Sequence, residues 1–259
     1  MSAETVAVAA ATGPALEMDG LCVSYGRTRV VDGLTLAVPR GSVFALLGRN
    51  GAGKSSLLRV LLGQRPPAQG RVRLLGEDPW THRTRLMARV GVVPEEPDAP
   101  PEMTPLALSA FCTRLHARWD SPAVAERLRR FEVPADRPFG RLSKGQKGAV
   151  MLALALGHAP ELLLLDDPTL GLDVVARDAV FQEVIGDLAD RGTTVFVTTH
   201  DLQSIEGIAD HVAILHEGRL ALAGPLESLK AERGQSLEQI FAATAGSRAG
   251  DRRPTEARA

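Results

Sequence analysis

Two acidic residues follow a run of leucines in the segment ELLLLDDPTLGLD, residues 161–173. An apolar strand that ends in carboxylates is typical of a site that presents acids to a metal ion or to a water molecule. Asp166 and Asp167 are therefore candidates for chemistry, and the rest of the chain must indicate what they face.

A glycine-rich loop lies upstream of these acids. GRNGAGKS, residues 48–55, fits the pattern G-x-x-x-x-G-K-[ST] at every specified position. Glycines let backbone N–H groups curl around phosphate oxygens, and the N-terminus of a following helix favours an anion. Lys54 can reach the terminal phosphates, and the Ser55 hydroxyl can ligate Mg²⁺. A turn with an incidental lysine is the alternative, but the strand–loop–helix setting indicates a nucleoside triphosphate.

Alternating strands and helices must position these residues. Residues 15–40 predict antiparallel strands, whereas the sequence from residue 43 alternates apolar strands with helices and predicts a parallel sheet. Residues 97–157 carry apolar side chains at helical spacing and predict an inserted helical subdomain. The predicted fold class is α/β: a P-loop core with a parallel sheet, an N-terminal antiparallel β subdomain and an inserted α-helical subdomain.

The predicted nucleotide-binding domain covers residues 14–230. Residues 1–13 lack the positively charged start of a secretory signal and predict a disordered lead-in. Residues 231–259 predict a short helix followed by a polar, disordered tail. No apolar run approaches the ~20 residues that span a bilayer, so a role at a membrane requires a partner.

Composition excludes several classes of function. The chain has 259 residues with a formal net charge of −1, which gives no general attraction to nucleic acid or to anionic lipid. Aromatic residues make up 4% of the sequence, too few to favour a base-stacking platform for single strands. Cys22 and Cys112 have no metal-like spacing and favour a reducing compartment without disulfides.

Two further motifs complete a pattern. LSKGQ, residues 142–146, lies one helix before the acids, and TTH, residues 198–200, lies after them. With the glycine loop upstream, this order of motifs resembles that of the ATP-binding cassette (ABC) ATPases over about residues 15–230. The resemblance implies a P-loop ATPase that takes ATP and Mg²⁺ as cofactors.

The resemblance also implies a role for each residue that matches a family motif. Tyr25 is expected to stack on adenine, and the phosphate loop is expected to bind the phosphates through Gly48, Arg49, Asn50, Gly51, Ala52, Gly53, Lys54, Ser55 and Ser56. Ser143, Gly145 and Gln146 form the signature that contacts the ATP of the opposite subunit. Asp173 lies in the loop after the acids, which contacts the other subunit. The implied catalytic residues are Asp167, His200 and Glu95. The implied Mg²⁺ residues are Ser55, Asp166 and Glu95.

Three of these residues also have a plain structural interpretation. Tyr25 is equally suited to a half-buried strand position, and Ser143 can simply cap the helix after it. His200 follows an apolar strand, at the carboxyl edge of a parallel sheet where ligands bind, which favours the functional interpretation.

Three positions depart from the family pattern. Glu95 replaces a glutamine, Lys144 replaces the second glycine of the signature, and Asp167 replaces the catalytic glutamate. The Asp167 carboxylate lies one C–C bond, roughly 1.5 Å, closer to the backbone. Because a misplacement of ~1 Å can cost about 100-fold in rate, we predict slow but real hydrolysis. The alternative is a non-catalytic or very slow ATP-gated module that pairs with another cassette subunit.

The resemblance implies two kinds of protein partner. ATP would lie between two cassettes, as a homodimer or a heterodimer, and a separate transmembrane permease would hold the pair at the cytoplasmic face of the membrane. VVPEEP, LSKGQ and DDPTLGLD resemble the bacterial branch that exports drugs, antibiotics or lipids. No nucleic-acid partner is expected, because the basic footprint, long coiled coils and second cassette of the DNA-repair and ribosomal relatives are missing.

Overall fold

The computed structural model describes residues 13–168 and 174–246. The strands in these residues are, in chain order, β1 (Leu16–Tyr25), β2 (Thr28–Val38), β3 (Val43–Leu47), β4 (Gln69–Leu74), β5 (Val90–Val93), β6 (Leu162–Asp166), β7 (Thr194–Thr199), β8 (His211–His216) and β9 (Arg219–Pro225). The α-helices are α1 (Lys54–Leu61), α2 (Arg83–Met87), α3 (Pro105–Cys112), α4 (Ser121–Arg130), α5 (Lys144–Ala155), α6 (Val174–Arg191), α7 (Leu202–Glu206), α8 (Leu226–Arg233) and α9 (Leu237–Gly246).

The strands form two sheets. The smaller sheet has the order β2-β1-β4 and is antiparallel. The larger sheet has the order β5-β6-β7-β3-β8-β9, and its neighbours are parallel except for the antiparallel pair β8 and β9. Both features agree with the prediction, so the α/β fold class is confirmed.

The central strands of the larger sheet, β3, β6 and β7, are buried on both faces, as their uninterrupted apolar sequences predict. In β3, Phe44 and Leu46 pack in one core with the small sheet and α1. Val43, Ala45 and Leu47 point to the opposite face, where they pack in a second core with α6, α8 and α9. This double burial fixes the register of the strands, and therefore fixes which residues meet at their carboxyl ends.

The helices between residues 97 and 157 surround a third core that includes Leu128, Phe139 and Val150. The sequence predicts helix over residues 106–119, but α3 ends at Cys112. The chain must turn there because Trp119 packs on Gly157, where an added Cβ would lie 2.7 Å from the indole ring.

Within residues 226–246 two helices follow the last strand, whereas the sequence predicts one short helix beyond residue 230. The first, α8, begins earlier, at Leu226, and ends at Gly234 in a left-handed conformation with φ 62°. That conformation favours glycine and ends helices frequently. No helix in residues 13–168 and 174–246 combines the length and hydrophobicity that a bilayer crossing needs.

Candidate functional site

Three neighbouring strands bring the candidate residues to one edge of the large sheet. The parallel register sets Asp166 of β6 beside Thr198 of β7, and Thr199 beside Leu47 of β3. Gly48 then opens the phosphate loop directly after β3. The acids, the threonines and the loop therefore meet at the carboxyl ends of adjacent strands, where α/β sheets bind ligands.

The phosphate loop requires glycine at two tightly packed positions. An added Cβ at Gly48 would lie 2.8 Å from the Leu215 carbonyl oxygen. At Gly53, φ is 108° and an added Cβ would lie 2.8 Å from the Val30 carbonyl oxygen. Helix α1 begins at the next residue, so the loop leads its backbone N–H groups into a helix N-terminus.

Lys54 folds back over the loop that carries it. Its Nζ donates to the carbonyl oxygen of Gly48 at 2.7 Å and to that of Arg49 at 3.4 Å. Burial lowers the pKa of the Lys54 ammonium from its usual range, and the carboxylates of Asp167 and Asp166 oppose this shift. A nearly buried cation among acids fits a site that receives anionic phosphates together with a metal ion.

A cavity of about 310 Å³ lies between the loop and the acids. Val30 lines the cavity, and its other lining residues are all predicted site residues: Asn50, Gly51, Gly53, Lys54, Ser55, Ser56, Glu95, Asp166 and Asp167. Glu95 joins this set from the loop after β5, where it is exposed. Arg49 and Ala52 do not line the cavity. They form the turn of the phosphate loop, where the Ala52 N–H donates to the Arg49 carbonyl oxygen at 3.1 Å.

The carboxylate of Asp166 fits a cation site. Burial raises its pKa, and a hydrogen bond from the Thr198 hydroxyl, 2.6 Å long, opposes the shift. The neighbouring charge of Asp167 raises the pKa further. A divalent cation held by Asp166 and the Ser55 hydroxyl would offset this cost, and hydroxyl and carboxylate oxygens are hard ligands of the kind that Mg²⁺ takes.

Asp167 is buried and has a left-handed backbone with φ 45°. Its Oδ1 accepts a hydrogen bond from the Thr199 hydroxyl at 3.0 Å. Its Oδ2 lies 2.5 Å from Nδ1 of His200. The carboxylate of Asp167, the predicted catalytic residue, is therefore held at both oxygens by residues at the end of β7.

Tyr25 ends β1 and faces the start of α1. Hydrogen bonds to Ser56 and Arg59 lower the pKa of its phenol. The Arg65 guanidinium lies over the ring, 4.2 Å from its centroid. Tyr25 is thus hydrogen-bonded to Ser56, which lines the cavity, but Tyr25 itself does not line it.

The signature residues lie at the start of α5. The Ser143 hydroxyl accepts from the Gln146 N–H at 3.2 Å, and the Gln146 side chain accepts from the Ser143 N–H at 3.1 Å. This reciprocal pair is a capping box, so the structural interpretation of Ser143 holds. Lys144 is exposed beside Gly145, and none of these described residues lines the cavity. Asp173 lies outside the described residues.

The sequence predicts no role for Arg65, nor for Thr198 and Thr199, although both threonines belong to the TTH motif. Both threonines are buried at the end of an apolar strand, and two consecutive polar residues at such a position are the signal that could have identified them. Nothing in the pattern around Arg65 indicates its contact with a tyrosine forty residues earlier, because that contact depends on how the small sheet packs on α1.

Comparison with known proteins identifies this arrangement. The model of the family described as "ABC transporter" matches residues 31–170. A Nod factor export ATP-binding protein I from Ralstonia nicotianae is 35% identical over 88% of the chain and 73% of its own length. The chain belongs to the ABC transporter family.

Other ABC proteins support the same assignment. A bacitracin transport ATP-binding protein from Bacillus licheniformis is 33% identical over 83% of the chain and 71% of its own length. The solved structure of an ATP-binding subunit of an ABC transporter superposes with a TM-score of 0.80 at 27% identity, covering 88% of the chain and 98% of that structure. The chain is therefore an ATP-binding transporter subunit with the ATPase activity of its family, as the sequence predicts.

Proposed function

We propose that the chain binds ATP with Mg²⁺ at the carboxyl edge of its large sheet and uses hydrolysis to drive export through a separate membrane-spanning subunit. The observation that carries this proposal is the convergence of Lys54, Ser55, Asp166 and Asp167 around one cavity. A cation, a hydroxyl and two carboxylates are what a phosphate chain with a bound Mg²⁺ requires.

The residues at this edge divide into three groups by the roles that we propose for them. Ser55 and Asp166 would hold Mg²⁺ on the α1 side of the cavity, and Glu95 would approach it from the rim. The metal supplies charge that neutralises the phosphates. Asp167 and His200, which already contact each other, would orient the attacking water and accept its proton. The backbone of the phosphate loop and Lys54 would bind the phosphate oxygens.

Completion of the site requires a second cassette. The N-terminus of α5, where Ser143 is exposed and Gly145 is half-buried, does not line the cavity. A capped helix N-terminus suits an anion, so this end would close over the γ-phosphate held by another subunit. Tyr25 and Asp173 would contribute adenine and intersubunit contacts. Either a second copy or a related chain would serve as the partner.

Export is proposed from the relatives. Proteins named for Nod factor export and for bacitracin transport match over most of the chain. We infer that a transmembrane permease binds the region of residues 97–157 within a cassette domain of residues 14–230. This partner would place the chain at the cytoplasmic face of the membrane. The cargo is chosen by the permease.

ATP turnover by the purified full chain tests the proposal. We expect slow, Mg²⁺-dependent phosphate release that stops with EDTA, and we expect Lys54→Ala to abolish ATP binding. Lys230→Ala is the control, because Lys230 is a surface lysine paired with Glu206 and Glu227. ATP affinity in Lys54→Ala equal to that of the wild type would overturn the phosphate-loop assignment. ATP binding without any turnover would favour the non-catalytic module.

A further inference from the structure

We propose that Thr199 is a positioning residue that fixes the Asp167 carboxylate for hydrolysis. This inference rests on the proposed catalytic role of Asp167 and adds a residue to that site. It is carried by the hydrogen bond from the Thr199 hydroxyl to Oδ1 of Asp167, which is 3.0 Å long and buried.

The Thr199 hydroxyl has a defined direction. Its oxygen accepts a hydrogen bond from the Asp201 N–H at 3.0 Å. The hydroxyl proton is thereby directed to the carboxylate, which is an acceptor when ionised. Thr199 is 2% exposed, so bulk water does not compete for this bond. The backbone that follows β7 therefore orients the hydroxyl toward the acid.

Asp167 needs two anchors because its carboxylate turns about two single bonds. The His200 contact at Oδ2 restrains one oxygen, and the Thr199 contact at Oδ1 restrains the other. With the hydroxyl removed, the carboxylate is restrained by these contacts at Oδ2 alone, and combined rotation about its two single bonds can tilt it about the histidine contact. A water aligned by that carboxylate would lose its angle to the phosphorus atom, and orientation of this kind carries a large share of catalysis.

Thr198, the neighbouring threonine, bonds to the other acid, Asp166. Thr198 donates its hydroxyl to Asp166, and its carbonyl oxygen accepts from the Asp167 N–H at 2.8 Å. Successive side chains of a strand point to opposite faces, so the two hydroxyls serve the two acids separately. Thr199 also lies beside Leu47, the last residue before the phosphate loop. It therefore links the strand that carries the loop to the acid that faces the loop.

Thr199→Val tests the inference, since it removes the hydroxyl and keeps the shape. We expect turnover of the full chain to fall about 10- to 100-fold, the range for a lost hydrogen bond to a charged group. The Kd for ATP should stay within about twofold, because Asp167 acts on water. Thr199→Ser should restore most of the rate. If the Thr199→Val protein does not bind ATP, Thr199→Ala is tested in its place. The alanine variant also removes the hydroxyl, but it does not put a methyl group where the hydroxyl was.

Thr194→Val is the matched control. Thr194 is a buried threonine at the other end of β7, and its hydroxyl accepts from the Gly41 N–H at 3.0 Å. It should leave turnover unchanged. In an Asp167→Asn background, Thr199→Val should have no further effect, because a positioning residue acts through the acid.

Three results would overturn the inference. These are turnover of Thr199→Val within twofold of the wild type, a serine variant as slow as the valine variant, or an undiminished effect in the Asp167→Asn background. Wild-type turnover in Asp167→Asn alone would instead remove the proposed role of Asp167, and the role of Thr199 with it. ATP binding and its loss in Lys54→Ala would survive that result, so the two failures are distinguishable.

Discussion

The Nδ1 atom of His200 lies 2.5 Å from Oδ2 of Asp167, and the two side chains form one unit at the end of the large sheet. An ionised carboxylate only accepts hydrogen bonds, so Nδ1 is the donor in this contact when Asp167 is ionised. The histidine side chain is 44% exposed and the aspartate side chain 8%, so the imidazole connects a buried acid to solvent. The side chain of Asp167 is one methylene shorter than that of a glutamate, and its position is fixed by its contact with His200.

Two replacements of Asp167 test the charge and the length of its side chain separately. Asp167→Asn keeps the shape and removes the charge, so turnover should fall at least about 100-fold. Asp167→Glu restores the missing methylene, so turnover should rise about tenfold or more if reach limits the rate. Phosphate release under single-turnover conditions measures both. An Asp167→Asn variant with the wild-type rate would show that another group activates the water.

Local motifs are the part of this site that the sequence predicts well. The phosphate loop needs a strand, glycines and a helix within one short segment, so Gly48 to Ser55 can be identified without the fold. The acids after β6 are similar, because an apolar run ending in carboxylates is a local signal. These segments also define the parallel sheet, since each follows or precedes a strand that is buried on both faces.

Contacts between distant segments are what the sequence does not specify. Thr198 and Thr199 bond to the acids across the register of β6 and β7, and each bonded pair is 32 residues apart in the chain. The end of α3 at Cys112 is set by the packing of Trp119 on Gly157, not by the helical pattern around it. In both places tertiary packing decides what local propensity leaves open.

The role of Tyr25 can be tested with two variants. If the ring stacks on adenine, Tyr25→Ala should weaken ATP binding by about 1–3 kcal/mol, which is the usual range for base stacking on an aromatic ring. Tyr25→Phe keeps the ring, loses the hydrogen bonds to Ser56 and Arg59, and should bind ATP better than the alanine variant. Calorimetric titration with ATP provides the Kd values. Equal Kd values for wild type and Tyr25→Ala would make Tyr25 a structural strand residue.

A buried ion pair joins the helical region to the core. Arg127 of α4 donates to Glu183 of α6 at 2.6 Å, and the side chains are 8% and 10% exposed. Arg127→Met should lower the free energy of unfolding by about 3–5 kcal/mol, because it leaves Glu183 buried with less compensation. Urea denaturation measures the loss.

Arg129→Met is the control for that pair. Arg129 also pairs with a glutamate, Glu126, but the two side chains are 75% and 43% exposed. Solvent screens such a pair, so its removal should leave the urea midpoint nearly unchanged. Equal losses in the Arg127 and Arg129 variants would contradict the importance of burial here.

Two stacked histidines should make the stability of the chain depend on pH. The rings of His116 and His158 lie 4.2 Å apart, and burial, followed by the His116 charge, lowers the pKa of His158 from 6.5 to about 4. Between these values the unfolded chain binds more protons than the folded chain, so stability rises with pH. The contribution is fully present above pH 6.5 and is lost as the pH falls toward 4. Urea midpoints at pH 7.5 and pH 5 should therefore differ less in His158→Phe, which cannot titrate, than in the wild type. An equal pH dependence in both proteins would assign the effect to other groups.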